Sequence, residues 1–260
     1  MELSKQIELE QKLMNYHGED EDSKASEVLE LYRKVHPKAE VYSSGLPTLD
    51  KVIGGLSPGQ LIVTSGITGS GKTTLNQTIT IALIKQIAYP LWFTYELPVD
   101  DFMTSFPGDL GDYFVMPRKL KDNKLDWIEE RIIEAKLKFQ TRAVFVDHLH
   151  HLVSMNPKVN MSGIIGETVR RLKQIAIEHR IIVFLICHMM KTKPDEEPGL
   201  GHARDSSFIE QEADCVIYTF RFKDDKKITV CKIVKNRRRG IVDERIPLVL
   251  QGGRYYEKAD

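Results

Sequence analysis

The sequence predicts an α/β protein with a mostly parallel central sheet flanked by helices, and with antiparallel strands near the C-terminus. Three observations predict it. From Val41 onward, short apolar runs suited to buried strands alternate with segments of helical periodicity. A glycine-rich turn, GITGSGKT from Gly66 to Thr73, joins the first of these runs to a helical segment. Beyond Asp214 the apolar runs follow one another across short connections, which suits antiparallel neighbours.

The chain has 260 residues, enough for one large α/β domain with a short appendage. Its 42% hydrophobic and 28% charged residues are ordinary for a protein that buries a real core. Formal net charge is zero, which excludes a polyelectrolyte binder; contact with nucleic acid must use a local basic patch. The polar, acidic N-terminus has no apolar signal-peptide core, and the run Ile181 to Cys187 is too short to span a bilayer. A soluble, unsecreted protein of the cytoplasm or an organelle matrix, without a membrane partner, is therefore expected. Cys187, Cys215 and Cys231 stand singly in apolar runs and read as buried reduced thiols.

Residues 1–40 read as a helical arm or linker, and 41–260 as one catalytic domain. In the arm, Leu3, Ile7, Leu13 and Met14 make a weak helical stripe before the acidic break HGEDEDS. A second helix, Ala25 to Val35, presents Val28, Leu29, Tyr32 and Val35 on one side and stops before Pro37. It either folds back on its own domain or docks on a neighbouring subunit. In the domain, GQLIVTSG is a strand and Lys72 to Gln86 a helix; PLWFTYELP is a strand and Leu125 to Lys138 a helix. RAVFVDHLHHLV is a strand, Gly163 to His179 a helix with Val169, Leu172, Ile175 and Ala176 inward, and IIVFLICH a strand. DCVIYTFR, KKITVCKIVK and RIPLVLQ supply the antiparallel edge.

Gly66, Gly71, Lys72 and Thr73 satisfy the phosphate-loop pattern. Backbone N–H groups from Gly66 through Thr74, including those of Thr68, Gly69 and Ser70, are placed to close around the phosphates of ATP at a helix N-terminus. Lys72 reaches the β- and γ-phosphates and Thr73 takes Mg²⁺ through its hydroxyl. Asp147 ends the strand AVFVD, where a second acidic group holds Mg²⁺ through water. Glu96 ends LWFTYE; if that strand lies beside the phosphate-loop strand, its carboxylate orients the attacking water. His188 closes IIVFLICH at the edge where ligands collect, a place for a γ-phosphate sensor. In HLHH, strand parity puts His148 and His150 on one face and His151 on the other. With no Cys or third ligand at usable spacing, that cluster does not read as zinc.

Taken in order, SGLPTLDKVIGGLSPGQLIVTSGITGSGKTT, FTYELP, VFVDHLHHL, ICHMMK, ARDSSFIEQEADCVIYTFR and KIVKNRRRG resemble the RecA-type motor domain of hexameric replicative helicases. The similarity is to the DnaB, Twinkle and phage primase–helicase group, over about Ser44 to Glu257. It implies a RecA-like P-loop NTPase that moves on single-stranded DNA by hydrolysing Mg²⁺-ATP between subunits of a hexameric ring. Within it Glu96 resembles the catalytic glutamate, Asp147 the second acidic motif, and His188 the strand-end sensor. Lys235 and Arg237 match the basic pair that reaches a neighbour's ATP site, while Arg221 resembles a base- or sugar-contacting position. Arg204 falls in the motif beside the DNA loops. The tip KNRRRG projects outward on this reading, either as an arginine finger or as a basic hairpin gripping phosphate backbone. Lys191 and Lys193, in the loop after His188, are expected to grip DNA backbone in a salt-sensitive way.

Three features depart from that group. No primase or collar segment is evident, so a separate primase or loader is expected as partner. About 50 residues separate Glu96 from Asp147, a short span that implies fewer peripheral helices. Leu250 falls at the base-stacking position, with Tyr255 and Tyr256 later. A RecA- or RadA-like recombination ATPase and a nucleotide-gated loader or switch stay open beside the helicase reading.

Overall fold

The structure is a computed structural model. It describes all residues except 1, 19, 37–39, 109, 122–123, 154–160, 190–196, 200–201, 203–205, 222–224, 226, 241–242 and 259–260, together with the side chains of 2–4, 161 and 206–207. Two compact units form, Met1–Glu40 and Val41–Asp260. The first carries α1 (Glu2–Met14) and α2 (Ala25–Val35). Helix α2 buries none of its residues: Val28, Leu29, Tyr32 and Val35 are all exposed.

The second unit runs α3 (Pro47–Ile53), β1 (Leu61–Gly66), α4 (Lys72–Ile84), β2 (Leu91–Thr94), α5 (Val99–Thr104), α6 (Leu125–Phe139) and β3 (Ala143–Asp147). It continues α7 (Met161–Glu178), β4 (Ile182–His188), α8 (Ser206–Glu212), β5 (Cys215–Arg221), β6 (Ile228–Asn236), β7 (Glu244–Gln251) and β8 (Arg254–Glu257). These strands make one eight-stranded sheet in the order β2-β3-β4-β1-β5-β6-β7-β8. The first five in that order are parallel and the last three pair antiparallel, as the sequence predicts.

Several elements differ from expectation. Strand β2 stops at Thr94, and Pro98, which cannot donate to a ladder, instead caps α5. Strand β3 ends at Asp147, and Leu149–His151 is a 3₁₀ turn rather than strand. Helices α3, α5 and α8 and strand β8 are short elements with little periodicity to announce them. Strand β2 sits at the sheet edge, with β3 and β4 between it and β1.

Both faces of the parallel strands are buried, so their sequences read as continuous apolar runs. Leu61, Val63, Val144, Val146, Val183 and Leu185 face a core completed by α6 and α7 through Ile128, Ile132, Val169 and Leu172. The alternate residues Ile62, Phe145, Phe184 and Ile186 face the other core with Leu75 and Ile79 of α4 and Phe102 of α5. Within that second core Trp92, Phe145 and Phe184 stack across three strands, with centroids 4.6 and 4.4 Å apart and planes within 6°. Trp92 Nε1 donates to Thr80 Oγ1 of α4 at 3.0 Å, so the one polar atom of the stack is satisfied.

Asp214 ties three elements together. Its Oδ2 accepts from the Leu61 amide at 2.8 Å and from Lys173 Nζ at 2.5 Å, while Lys173 also donates to the Gly59 carbonyl at 2.7 Å. The Asp214 carbonyl accepts from the Arg237 amide at 2.7 Å. Removing the carboxylate strands a largely buried ammonium, so Asp214→Ala should cost about 3 kcal/mol, read as a lower urea midpoint.

Cys187, Cys215 and Cys231 are buried free thiols. Burial pushes Cys187 up to about 11 and Cys215 to about 12, and raises Cys231 as well. None of the three should react with iodoacetamide in the folded protein, and all three should react in guanidinium; mass spectrometry of the native protein would expose any labelled cysteine.

Candidate active site

Parallel strands end at one edge, and the register of this sheet decides which residues meet there. Gly66 of β1 pairs with His188 of β4, Asp147 of β3 pairs with Ile186 of β4, and Thr94 of β2 pairs with Asp147. The chain leaves β1 into the turn 67–71 and enters α4 at Lys72. Gly69 and Gly71 adopt φ of +75° and +94°, a region that costs other residues strain. Ile67, Thr68 and Gly69 are exposed while Ser70 is buried, so the turn presents its crest to solvent.

Lys72 is buried and its Nζ donates to the carbonyls of Gly66 and Ile67, both at 3.0 Å. Burial lowers the affinity of Lys72 for its proton, against the attraction of Glu96 and Asp147. Thr73 Oγ1 donates to Asp147 Oδ2 at 3.0 Å. Asp147 Oδ1 is buried and has no hydrogen-bond partner among the described residues. A hydroxyl beside a carboxylate with a spare oxygen is the oxygen donor set that Mg²⁺ takes, and these two residues fit it. Asp147 is pushed up to about 6, first by burial and then by the Glu96 carboxylate, against the Thr73 hydrogen bond and the Lys72 charge.

Glu96 reaches the site from an unexpected place. It does not stand beside β1, because β3 and β4 intervene; the chain instead runs on past β2, its Tyr95 amide bonding the Asp147 carbonyl at 2.8 Å. Glu96 Oε2 then lies 3.4 Å from His148 Nδ1. That contact is no ion pair, since burial first, and then His188, His151, His150 and Lys72, push His148 down to about 3. His148 and His188 meet edge to face with centroids 4.3 Å apart.

Behind the glycine-rich turn stands a polar wall, most of which the sequence reading missed. Thr219 Oγ1 bonds Ser70 Oγ at 2.9 Å, and Thr229 Oγ1 bonds Tyr255 Oη at 2.9 Å. The Tyr255 amide donates to Thr78 Oγ1 of α4 at 2.9 Å. A methyl group on Gly71 would fall 2.1 Å from Tyr255 Oη. Arg221 joins this wall, its Nη1 donating to Thr229 Oγ1 at 2.9 Å. Apart from Arg221, the sequence signal was an aromatic pair near the C-terminus, whose partner in space no spacing rule supplies.

Lys235 and Arg237 lie elsewhere. Strand β6 runs antiparallel to β5, pairing Asn236 with Cys215, so its C-terminal end is at the opposite edge of the sheet from Gly66. Their side chains do not project freely as expected but lie against the C-terminus of α8. Lys235 Nζ donates to the carbonyls of Glu210 and Gln211, and Arg237 Nη2 to those of Gln211 (2.7 Å) and Glu212 (3.2 Å). The carbonyl end of a helix attracts cations, which explains the fold-back. Arg238 and Arg239 bond Ser57 Oγ (3.2 Å) and the Lys51 carbonyl (2.6 Å). Lys191, Lys193 and Arg204 lie outside the described residues.

Known proteins share both sequence and fold with this chain. The family model of the DnaB-like helicase C terminal domain matches residues 113–252, just over half of the chain. That span holds Asp147, His188, Lys235 and Arg237, while the phosphate loop precedes it. The replicative DNA helicase DnaB of Mycoplasma genitalium is 26% identical over 79% of this chain and 52% of its own length. The chain thus spans about half the length of the curated relatives it matches. Among solved structures, one ATPase domain superposes with a TM-score of 0.77 at 17% identity, covering 92% of this chain and 100% of that one. A DnaB-like replicative helicase, solved with its interactions with primase, gives 0.73 at 17% identity over 96% of this chain and 70% of that one. These likenesses show a RecA-like α/β fold.

Two substitutions probe the geometry of the site. Gly71→Ala combines an unfavourable φ with the Tyr255 clash and should weaken binding of a fluorescent ATP analogue at least tenfold, or about 1.4 kcal/mol. Asp147→Asn removes a charge whose folded-state affinity for protons is raised. Wild type should therefore be less stable than the variant at pH 8, by on the order of 2–3 kcal/mol. The gap should begin to narrow as pH falls below about 6, where folded Asp147 gains its proton, and be gone near the unfolded value of about 4; denaturant titrations in EDTA across pH would show an unchanging gap if the carboxylate were not strained.

Proposed function

The chain belongs to the DnaB-like helicase C-terminal domain family, and on that basis we propose that it is an ATP-driven motor that moves along single-stranded DNA during replication. One observation carries the reading: Lys72, Thr73, Glu96, Asp147 and His188 converge at the carboxyl edge of one sheet although they come from four separate strand–loop junctions.

The proposed reaction transfers the γ-phosphoryl group of ATP to water, breaking the bond to the β-phosphate. Gly66 to Thr74 bind the phosphates through backbone N–H groups at the start of α4, and Lys72 exchanges its two carbonyl partners for phosphate oxygens. Thr73 Oγ1 and Asp147 would hold Mg²⁺, which when bound would neutralise charge on the phosphate oxygens. Glu96 orients the attacking water and draws on its proton. His188, backed by His148, contacts the γ-phosphate and relays its loss to the loop that follows β4. Arg221, whose Nη1 donates to Thr229 Oγ1, would contact the base or sugar of the nucleotide.

Lys235 and Arg237 act in trans. Their place at the opposite edge supports this, since a side chain there cannot reach its own phosphate loop. Head-to-tail packing would bring that edge of one subunit to the nucleotide of the next, in a closed hexameric ring. The arm of residues 1–40, with its exposed apolar face on α2, is the segment suited to hold a neighbour. Lys191, Lys193 and Arg204 grip the DNA backbone. A primase or a loader is the further partner.

Steady-state ATP hydrolysis with and without single-stranded DNA at low salt tests the reading, and at least tenfold stimulation is expected. A rate indifferent to DNA would exclude the motor and leave a partner-gated ATPase. Glu96→Gln should lower kcat by 10²–10³, roughly 3–4 kcal/mol, with nucleotide affinity kept. Arg237→Lys should lower kcat similarly, and mixing it with Glu96→Gln subunits should restore partial turnover if the arginine acts across an interface.

A further inference from the structure

We propose that Glu96, His148 and His188 form a binding site for a borderline transition-metal ion of the Zn²⁺ class, distinct from the Thr73–Asp147 pair. Three strand ends supply it. The ligand atoms of the three side chains lie within 4.8 Å of one another. His148 Nδ1 and Glu96 Oε2 are already 3.4 Å apart. A tetrahedral ion with bonds of about 2.0–2.1 Å spaces its ligands by roughly 3.3 Å, so that edge of the tetrahedron is preformed and only the His188 nitrogen has to close in.

A second observation is independent of that spacing. His148 is only 8% exposed, and its Nδ1 makes no hydrogen bond among the described residues. A buried ring nitrogen left unsatisfied is costly, and with a carboxylate oxygen 3.4 Å away a metal between the two would satisfy both. The zinc reading fails from sequence because it looks for ligands within HLHH. The other two ligands come instead from the ends of β2 and β4, and the turn at Leu149–His151 breaks the strand parity that the sequence reading assumed.

Two imidazoles and one carboxylate suit Zn²⁺, Co²⁺ or Ni²⁺ and discriminate against Mg²⁺, which prefers oxygen ligands throughout. Three protein ligands leave the fourth position open to water. Where Glu96 orients the attacking water, a reading on which this consequence alone rests, the bound ion ties up that carboxylate. Zn²⁺ therefore inhibits hydrolysis without competing for the phosphate loop.

The test uses the full chain without nucleotide, in excess Mg²⁺, so it reads the site whether or not the chain hydrolyses ATP. Zn²⁺ is titrated calorimetrically, and Co²⁺ is followed by its visible absorption. One Zn²⁺ per chain at micromolar affinity or better is expected, with the intense Co²⁺ bands of four- or five-fold coordination. Glu96→Gln and His148→Ala should each weaken Zn²⁺ binding at least tenfold. The Glu96 side chain is exposed, so its variant separates ligand loss from misfolding, with melting curves as the check. His179→Ala, in a separate Glu129–Glu178–His179 cluster, should leave the affinity unchanged. Binding within twofold of wild type in both Glu96→Gln and His148→Ala, octahedral-type pale Co²⁺ spectra, or loss on His179→Ala instead would each overturn the site.

Discussion

The parallel ladder from β2 through β3 and β4 to β1 is the constraint on which everything else depends. Its register fixes which strand ends meet, and so which side chains share the carboxyl edge. A slip of one residue in β3 would turn Asp147 into the opposite core and present an apolar side chain to Thr73. What resists that slip is packing on both faces. Trp92, Phe145 and Phe184 form a stack that cannot shift along one strand without unstacking its neighbours. Helix α4 is keyed to the same stack through Thr80, so the helix that opens with Lys72 and the strand that ends with Asp147 are positioned by one contact set. The chemistry at the edge is thus held by large apolar surfaces a few residues away, which is how an α/β sheet can keep polar groups where they are individually unfavourable.

Those groups are unfavourable by themselves. Asp147 is buried beside Glu96, its carboxyl raised to about 6, and Lys72 is buried against the carbonyls of Gly66 and Ile67. Thr73 offsets only one of the two Asp147 oxygens. The folded state therefore carries electrostatic strain concentrated at one edge, next to a turn whose glycines hold left-handed conformations. Charge, left-handed glycine backbone and exposure coincide at Gly66 to Lys72 and at few other places in the described chain. Coincidence of that kind marks a site prepared for a charged ligand.

Much of this was legible in the sequence, and for physical reasons. The phosphate-loop pattern was readable because Gly66, Gly71 and Lys72 fall at fixed spacing in one short stretch between a strand-like and a helical segment. Asp147 and His188 were readable because a polar residue ending a buried strand interrupts an apolar run. The antiparallel edge announced itself through short connections. The strand order did not, since order is set by crossovers that leave no local trace; the adjacency to β1 on which the role of Glu96 was conditioned is absent, because two strands stand between them. The parity of HLHH failed because Leu149, Leu152 and Val153 continue an apolar pattern past Asp147, where the chain turns into a 3₁₀ helix. Tyr255 and Thr219, which buttress the loop from strands more than a hundred residues away, were invisible to any spacing rule. The fold-back of Arg237 onto α8 was missed because α8 is a single short helix whose carbonyl end attracts whatever cation lies near it.

That fold-back bears on how an assembly of such subunits would work. In the isolated chain Lys235 and Arg237 already have partners, the open carbonyls of Gln211 and Glu212 among them. To reach a neighbour's nucleotide these cations have to leave that helix end, and each such contact is worth a fraction of a kcal/mol to about 2 kcal/mol. A γ-phosphate bearing several negative charges can outbid it; a diphosphate, with its terminal group gone, does so less well. On the proposed reading, release of phosphate would return Arg237 to α8, which leads directly into Asp214 and, through Lys173, into α7 and the entry to β1. The same arginine would then be bonded either to its neighbour's substrate or to its own core. Two alternatives of comparable energy for one side chain are what a coupling device between subunits requires, and a permanently solvated arginine would not provide them.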